Sequence, residues 1–125
     1  MERIVNIDGR EYRMRASALI PRLYRAKFNR DIFIDIVNLQ KALKEKSEGK
    51  EFSYDTLTIF EDMAWLFIKN AGEDIPETPD AWLDSIENMT TIYELLPVVL
   101  ELWTNGEKTL SESKKKIEQQ QENSQ

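Results

Sequence analysis

The first thirty residues contain the one strand-like pattern of the chain. In RIVNIDGREYRMR, residues 3–15, apolar and polar side chains alternate on both sides of Asp8-Gly9. An Asp-Gly pair favours the positive φ angles of a two-residue type I′ turn, so the pattern predicts a β-hairpin. The predicted pairs are Ile7 with Arg10, Val5 with Tyr12 and Arg3 with Met14. Since two strands alone are marginally stable in water, we expect the apolar face, which is formed by Val5, Ile7, Tyr12 and Met14, to pack on helices.

Apolar residues at helical spacing predict helices in the rest of the chain. Ser17 can cap the first helix, Pro21 falls in its first turn, and the helix is expected to run to about Phe28. Asn29 suits a left-handed C-terminal position, and Asp31 can cap the second helix. The second helix carries one apolar stripe toward the core, formed by Ile32, Ile36, Leu39 and Leu43.

Three further helices are predicted after the charged loop around Gly49. Ser53 or Asp55 can cap the third, and Gly72 ends it. The short fourth helix has Thr78 as its cap and Pro79 at its first position. The fifth, TTIYELLPVVLELWTNG, contains Pro97, which is expected to kink or break it.

The segment after residue 104 differs from the rest in composition. Residues 105–125 contain Leu110 and Ile117 as their apolar anchors, too few to offset an ordering cost of about 1–2 kcal/mol per residue. The sequence therefore predicts a mainly α fold with one domain, residues 1–104, which contains about five helices and an N-terminal β-hairpin. A disordered, flexible polar tail, residues 105–125, is predicted to follow.

Composition narrows the chemistry that the chain can perform. The 125 residues include no histidine and no cysteine, which removes the commonest metal ligand, the usual general base and any thiolate nucleophile. Carboxylates such as Glu61 with Asp62, or the acidic run 73–84, match neither a catalytic motif nor a calcium loop. We therefore expect a non-catalytic protein with no cofactor and no metal. The longest apolar run, LLPVVL, is too short to span a membrane, which indicates a cytoplasmic protein.

Charge is distributed unevenly along the chain. Residues 1–30 hold all seven arginines and Lys27 against three carboxylates, a net charge of +5, whereas residues 31–125 hold nine lysines against twenty carboxylates, a net charge of −11. Such asymmetry indicates partner binding. For any single arginine, a solvated position with an internal ion pair is the simpler interpretation. Nucleic-acid binding is less favoured, because the whole chain carries a net charge of −6.

Side chains suited to a protein interface occur with these arginines and near the C-terminal end of the predicted domain. Guanidinium groups pair well with carboxylates, and tryptophan and tyrosine are frequent anchors at interfaces. We predict a contact surface for an acidic partner or another copy of the chain. The candidate residues are Arg13, Arg15, Arg22, Tyr24, Arg25, Arg30, Trp82 and Trp103.

The segments PRLYRAKFNRDI, IDGREYRMRAS, IPETPDAWLDSI and IYELLPVVLELW resemble the tail assembly chaperone family of long-tailed phages and prophages of Gram-positive hosts. The resemblance covers about residues 3–104, with Asn29 at a position where glycine is expected. Its most specific residues are Pro21, Arg22, Tyr24, Arg25, Phe28, Arg30, Asp31, Trp82, Leu83, Tyr93 and Trp103.

The resemblance implies a non-catalytic chaperone of phage tail morphogenesis. Such a protein would act in the host cytoplasm and be absent from the mature virion. It would bind the tape measure protein and help to recruit tail tube subunits. The uneven charge of the chain also permits self-association through head-to-tail contacts between copies, or separate docking of two partners. Members often have a longer form made by ribosomal frameshifting, and Lys114–Lys116, which a run of adenines can encode, would mark the slip site. The alternative is a small prophage nucleic-acid-binding or regulatory protein that uses the Arg-rich face.

Overall fold

The computed structural model describes residues 1–105. It contains a two-stranded antiparallel sheet followed by helices, which confirms the predicted mainly α fold with five helices and an N-terminal hairpin. Residue 105, the first residue of the predicted tail, is helical, whereas residues 106–125, which include Leu110, Lys114–Lys116 and Ile117, lie outside the described residues. The elements are β1 (Glu2–Ile7), β2 (Arg10–Arg15), α1 (Ile20–Phe28), α2 (Ile32–Ser47), α3 (Tyr54–Asn70), α4 (Pro79–Asp84) and a 3-10 turn (Thr91–Leu95) that leads into α5 (residues 96–105).

The hairpin has the predicted turn and register. Asp8 and Gly9 have φ angles of 53° and 80°, as a type I′ turn requires. Val5 pairs with Tyr12, and both side chains are buried. The Asp8 carboxylate also accepts hydrogen bonds from the backbone N–H groups of Glu87 and Asn88. The turn is thus tied to the segment between α4 and α5.

The junction between α1 and α2 has the predicted capping residues, whereas the start of α1 differs from the prediction. Asn29 ends α1 in the left-handed conformation with φ 55°, and Asp31 caps α2 by accepting a hydrogen bond from the Phe33 N–H. Ser17 does not cap α1. A helix capped by Ser17 would begin at residue 18, whereas α1 begins two residues later, at Ile20. The Ser17 hydroxyl instead accepts a hydrogen bond from the Asn70 side chain at 3.2 Å.

Helix α3 lies at the centre of the fold. Ser53 caps it by accepting a hydrogen bond from the Thr56 N–H, which resolves the choice between Ser53 and Asp55. Consecutive residues from Asp62 to Ile68 are all buried, so this helix is covered around most of its circumference, as expected of an element that contacts several neighbours. It packs against β2, α1, α2 and α4.

The C-terminal helices also begin as the sequence indicates. Thr78 caps α4 by accepting a hydrogen bond from the Ala81 N–H, and Pro79 occupies its first turn. Pro97 is the second residue of α5, where the missing N–H removes no intrahelical hydrogen bond. The break that was predicted in the fifth helix thus corresponds to the point where the 3-10 turn ends and α5 begins.

One apolar core joins these elements, with contributions from both strands and from every helix. Its largest fully buried side chains include Trp82, Tyr24, Phe60 and Phe67. In the part of the chain that the structure describes, no helix has both the length and the apolar character that crossing a membrane requires.

Candidate protein-binding surfaces

Arg30 lies in a polar network between three helices and does not extend freely into solvent. Its Nε donates to Asp35 on α2 at 3.0 Å, and its Nη2 donates to Asp62 on α3 at 2.8 Å and to the Tyr24 hydroxyl on α1 at 2.9 Å. The Tyr24 hydroxyl in turn donates to Asp35 at 2.5 Å. Asp35 and Asp62 are buried, and about a third of the Arg30 side chain is exposed. This network fixes the relative positions of α1, α2 and α3.

The network shifts the pKa values of Asp62, Tyr24 and Arg30. Burial raises the pKa of the Asp62 carboxyl, although the hydrogen bond from Arg30 opposes that change. Burial and the hydrogen bond to Asp35 raise the pKa of the Tyr24 hydroxyl, which keeps it a neutral donor. Hydrogen bonds to Asp62 and Tyr24 raise the pKa of Arg30 against the effect of burial. Arg30 is therefore a cation and the Tyr24 hydroxyl a neutral donor at neutral pH.

Two further arginines bind carboxylates of the acidic half. Arg3 on β1 pairs with Glu101 on α5, and Arg13 pairs with Glu73, whose carboxylate also accepts a hydrogen bond from the Arg13 backbone N–H at 2.9 Å. The backbone bond and the Arg13 side chain lower the pKa of Glu73. Both arginines are half exposed. Part of the charge asymmetry in the sequence is thus neutralised within the fold.

Four arginines are exposed and form no ion pair within residues 1–105: Arg10 at the start of β2, Arg15 at its end, and Arg22 and Arg25 on α1. Arg10 lies over the Tyr12 ring, 4.7 Å from its centroid, and is not a member of the predicted contact set. Arg22 and Arg25 are three residues apart and therefore lie on one side of the helix. We call Arg15, Arg22 and Arg25 the arginine surface. It is the portion of the predicted contact set that the fold leaves available to a partner.

The aromatic members of the predicted contact set lie in the core. Tyr24 and Trp82 are fully buried, and Trp103 is 8% exposed. The Trp82 indole N–H has no hydrogen-bond partner within the described residues. Trp103 packs edge-to-face on Phe33 of α2, with 5.3 Å between ring centroids. In this conformation a partner cannot contact Tyr24 or Trp82 directly, because neighbouring side chains cover them.

An exposed apolar face on α2 was missing from the sequence prediction. Phe33, Ile34 and Val37 are 53%, 60% and 61% exposed. The inward stripe of Ile32, Ile36 and Leu39 is buried as predicted, and Leu43 is partly buried. The signal was present in DIFIDIVNL, where apolar residues occupy both sides of the helix and not a single stripe.

A shallow cleft of about 500 Å³ lies between α1, α3 and the segment that follows α3. Its apolar wall includes Leu23, Trp65 and Leu66, and Lys27 and Lys69 stand at its edge. Lys27 lies over the Trp65 ring at 5.4 Å, and Lys69 pairs with Glu77 at 2.7 Å. The lysines of this cleft are thus already engaged with groups of the same chain.

The acidic candidates for catalysis or metal binding are dispersed. Asp62 binds Arg30, whereas Glu61 accepts a hydrogen bond from the Tyr93 hydroxyl at 3.4 Å, and burial raises the pKa of Glu61. Glu73 and Glu77 are paired with Arg13 and Lys69. Among residues 1–105, no group of His, Cys, Asp or Glu side chains could hold a metal ion.

Comparison of the chain with protein-family models, with curated proteins and with solved structures finds no match.

Proposed function

We propose that this protein is a phage or prophage tail assembly chaperone. It binds the tape measure protein in the host cytoplasm, helps to recruit tail tube subunits and is left out of the mature virion. The proposal has its main support in the run from Pro21 to Ile32, which carries the most specific part of the family resemblance.

The structure gives this run two separate physical roles. Tyr24, Arg30 and Asp31 hold the junction of the helices, through the polar network and the cap of α2. Arg22 and Arg25 are exposed and form no ion pair within residues 1–105. A motif that combines a folding role with an unpaired cationic surface suits a binding protein, because guanidinium groups recognise carboxylates of a partner in a defined geometry.

The decisive experiment is co-expression with the tape measure protein. The protein is produced together with an aggregation-prone fragment of the tape measure protein encoded beside its gene, and the soluble fraction of the fragment is measured. We expect the fragment to become soluble and to co-purify with the chaperone. An unchanged insoluble fraction, with the chaperone folded by circular dichroism, would contradict the proposal.

The arginine surface is tested in the same assay. Arg22→Glu with Arg25→Glu should weaken co-purification of the fragment or contacts between copies at low salt, since the exposed positive charges become negative. The matched control, Arg22→Lys with Arg25→Lys, keeps the charge and should retain more binding. If the glutamate variant equals the wild type in both solubilisation and self-association, these arginines are merely solvated.

Because these arginines are exposed, the alternative function, a regulator that binds nucleic acid, can also be tested directly. A regulator would co-purify with nucleic acid and release it as salt rises, because phosphate contacts are salt-sensitive. The net charge of −6 opposes such binding. Salt-labile nucleic acid in the purified protein, with no effect on the tape measure fragment, would favour the regulator.

A longer form made by frameshifting is part of the same proposal. Lys114–Lys116 would mark the slip site. The gene sequence tests this point: an uninterrupted adenine run with an overlapping frame displaced by one base is expected. Codons that interrupt the run would remove the slip site from the proposal.

A further inference from the structure

The outward side of α2 is an apolar patch that continues into a basic one. Phe33, Ile34 and Val37 lie within one arc of about 100° around the helix axis, and Lys41 and Lys44 fall in the same arc one and two turns further on. All five side chains are exposed. We call these five residues the α2 outer face.

The α2 outer face is held in a defined position. Asp31 caps the helix at the Phe33 N–H, and the Phe33 ring packs on Trp103 of α5. On the opposite side of the helix, Asp35 binds Arg30 and Tyr24, and Ile36 is buried in the core. The exposed apolar side chains therefore belong to a helix whose position is fixed by its contacts with the core.

The charge of this face is the reverse of the charge of the protein. No carboxylate lies in the arc from Phe33 to Lys44, although the chain carries a net charge of −6 and has eleven carboxylates between Glu61 and Glu107. Glu45, partly buried, borders the arc at its C-terminal end, and the exposed Glu48, which follows the last residue of α2, falls in the same arc one turn beyond Lys44. A partner with carboxylates beside its apolar side chains would meet attraction at Lys41 and Lys44.

The size of the patch favours one helix as its occupant over a second copy of the chain. The exposed parts of Phe33, Ile34 and Val37 together offer about 300 Å², which is within the range of functional patches on monomers. A stable dimer buries about 800 Å² on each subunit. Eleven steps of helix from Phe33 to Lys44 span about 16 Å, the length of three helical turns.

We propose that the α2 outer face binds one amphipathic helical segment of a partner, with apolar side chains at i, i+3 or i+4 spacing followed by carboxylates. Phe33, Ile34 and Val37 receive the apolar side chains, and Lys41 and Lys44 pair with the carboxylates. This inference rests on the proposed chaperone function for the identity of the partner, a segment of the tape measure protein. The arginine surface consists of other residues, on β2 and α1.

A direct binding experiment tests the surface without reference to that identity. The probe is a fluorescein-labelled synthetic helix with leucines at i, i+3 and i+7 followed by two turns that carry glutamates, and binding to the full chain is measured by fluorescence anisotropy. Ile34→Asp should weaken binding at least tenfold. Lys41→Glu with Lys44→Glu should weaken binding of this probe at low salt and strengthen binding of a probe with lysines in place of its glutamates.

Met89→Asp is the matched control, because Met89 is 84% exposed and lies outside the α2 outer face. This variant should bind the probe like the wild type. Equal affinity of Ile34→Asp and Met89→Asp would overturn the inference, as would a dimer in sedimentation equilibrium that Ile34→Asp dissociates, since a second copy would then be the occupant.

The co-expression assay separates this inference from the proposed function. If the wild type solubilises the tape measure fragment and Ile34→Asp does so equally well, the chaperone function stands and the α2 outer face is not its binding surface. If the wild type fails to solubilise the fragment but the probe binds as described, the surface stands and the family function fails.

Discussion

Replacing Arg30 with methionine tests whether the polar network holds α1, α2 and α3 together. Methionine keeps much of the side-chain volume but removes the hydrogen bonds to Asp35, Asp62 and Tyr24. Asp35 retains the Tyr24 hydroxyl, whereas Asp62 loses the one ion-pair partner that it has within the described residues. The variant therefore leaves a buried carboxylate uncompensated.

The size of the loss follows from burial. Removing one partner of a buried ion pair costs about 3–5 kcal/mol. Because Arg30 is about one-third exposed, water screens part of the interaction, and we expect a loss of about 2–3 kcal/mol in the free energy of unfolding. For a domain of this size, that corresponds to a fall of about 10 °C in Tm.

The variant should also respond differently to pH. Burial raises the pKa of Asp62 even with Arg30 present, and removal of Arg30 should raise it further. A carboxyl group whose pKa is higher in the folded state binds more protons when folded, so its destabilising effect declines as pH falls through that pKa. The deficit of the variant relative to the wild type should therefore narrow between pH 7 and about pH 4.

Thermal unfolding followed by circular dichroism provides the measurement. Arg25→Met is the control, because Arg25 is exposed and has no ion pair within residues 1–105; its effect should be within about 0.5 kcal/mol. An Arg30→Met variant that melts within about 2 °C of the wild type would refute the reasoning, and so would a deficit that widens in acid.

Two comparisons of matched variants test other parts of the structure. Trp65→Phe should lower the free energy of unfolding, measured in urea, by about 1 kcal/mol more than Trp82→Phe does. The reason is that the Trp65 N–H donates to the Pro76 carbonyl at 2.9 Å, whereas the buried Trp82 N–H has no partner within the described residues. Equal losses in the two variants would contradict this. Asn29→Gly should be neutral or stabilising and Asn29→Ala should cost about 1 kcal/mol, because the position has φ 55°; an alanine variant as stable as the glycine variant would contradict the assigned helix end.

Sequence reasoning predicted the elements whose signals are local. Asp8-Gly9 specifies its turn through the φ angles of two adjacent residues, and Asp31 and Thr78 cap helices that begin immediately after them. Pro97, which was expected to kink or break the fifth helix, lies where the 3-10 turn gives way to the α-helix, a position at which its missing N–H removes no intrahelical hydrogen bond. In each case the residue and the structure that it determines are within one turn of each other.

The candidate site depended on contacts between distant residues and was predicted less well. Arg30 and Asp62 are separated by 32 positions, and Arg13 and Glu73 by 60, so no local pattern indicates that they meet. The sequence could therefore identify an excess of arginines but not which of them the fold would neutralise. Trp82 likewise has an interface-prone side chain that the packing of α4 places in the core.

The distribution of charge in the folded chain suggests why so many arginines are concentrated before residue 31. Arg3, Arg13 and Arg30 each cross to a carboxylate on a later element, and these contacts join the hairpin and the α1–α2 junction to α3, α5 and the segment after α3. Interactions of that kind orient the N-terminal segments on an acidic remainder and leave Arg10, Arg15, Arg22 and Arg25 without an ion pair within residues 1–105. Because Arg3, Arg13 and Arg30 form ion pairs within the molecule, reversing their charge should lower the free energy of unfolding. Reversing the charge of Arg22 and Arg25 should instead alter binding in a protein that remains folded.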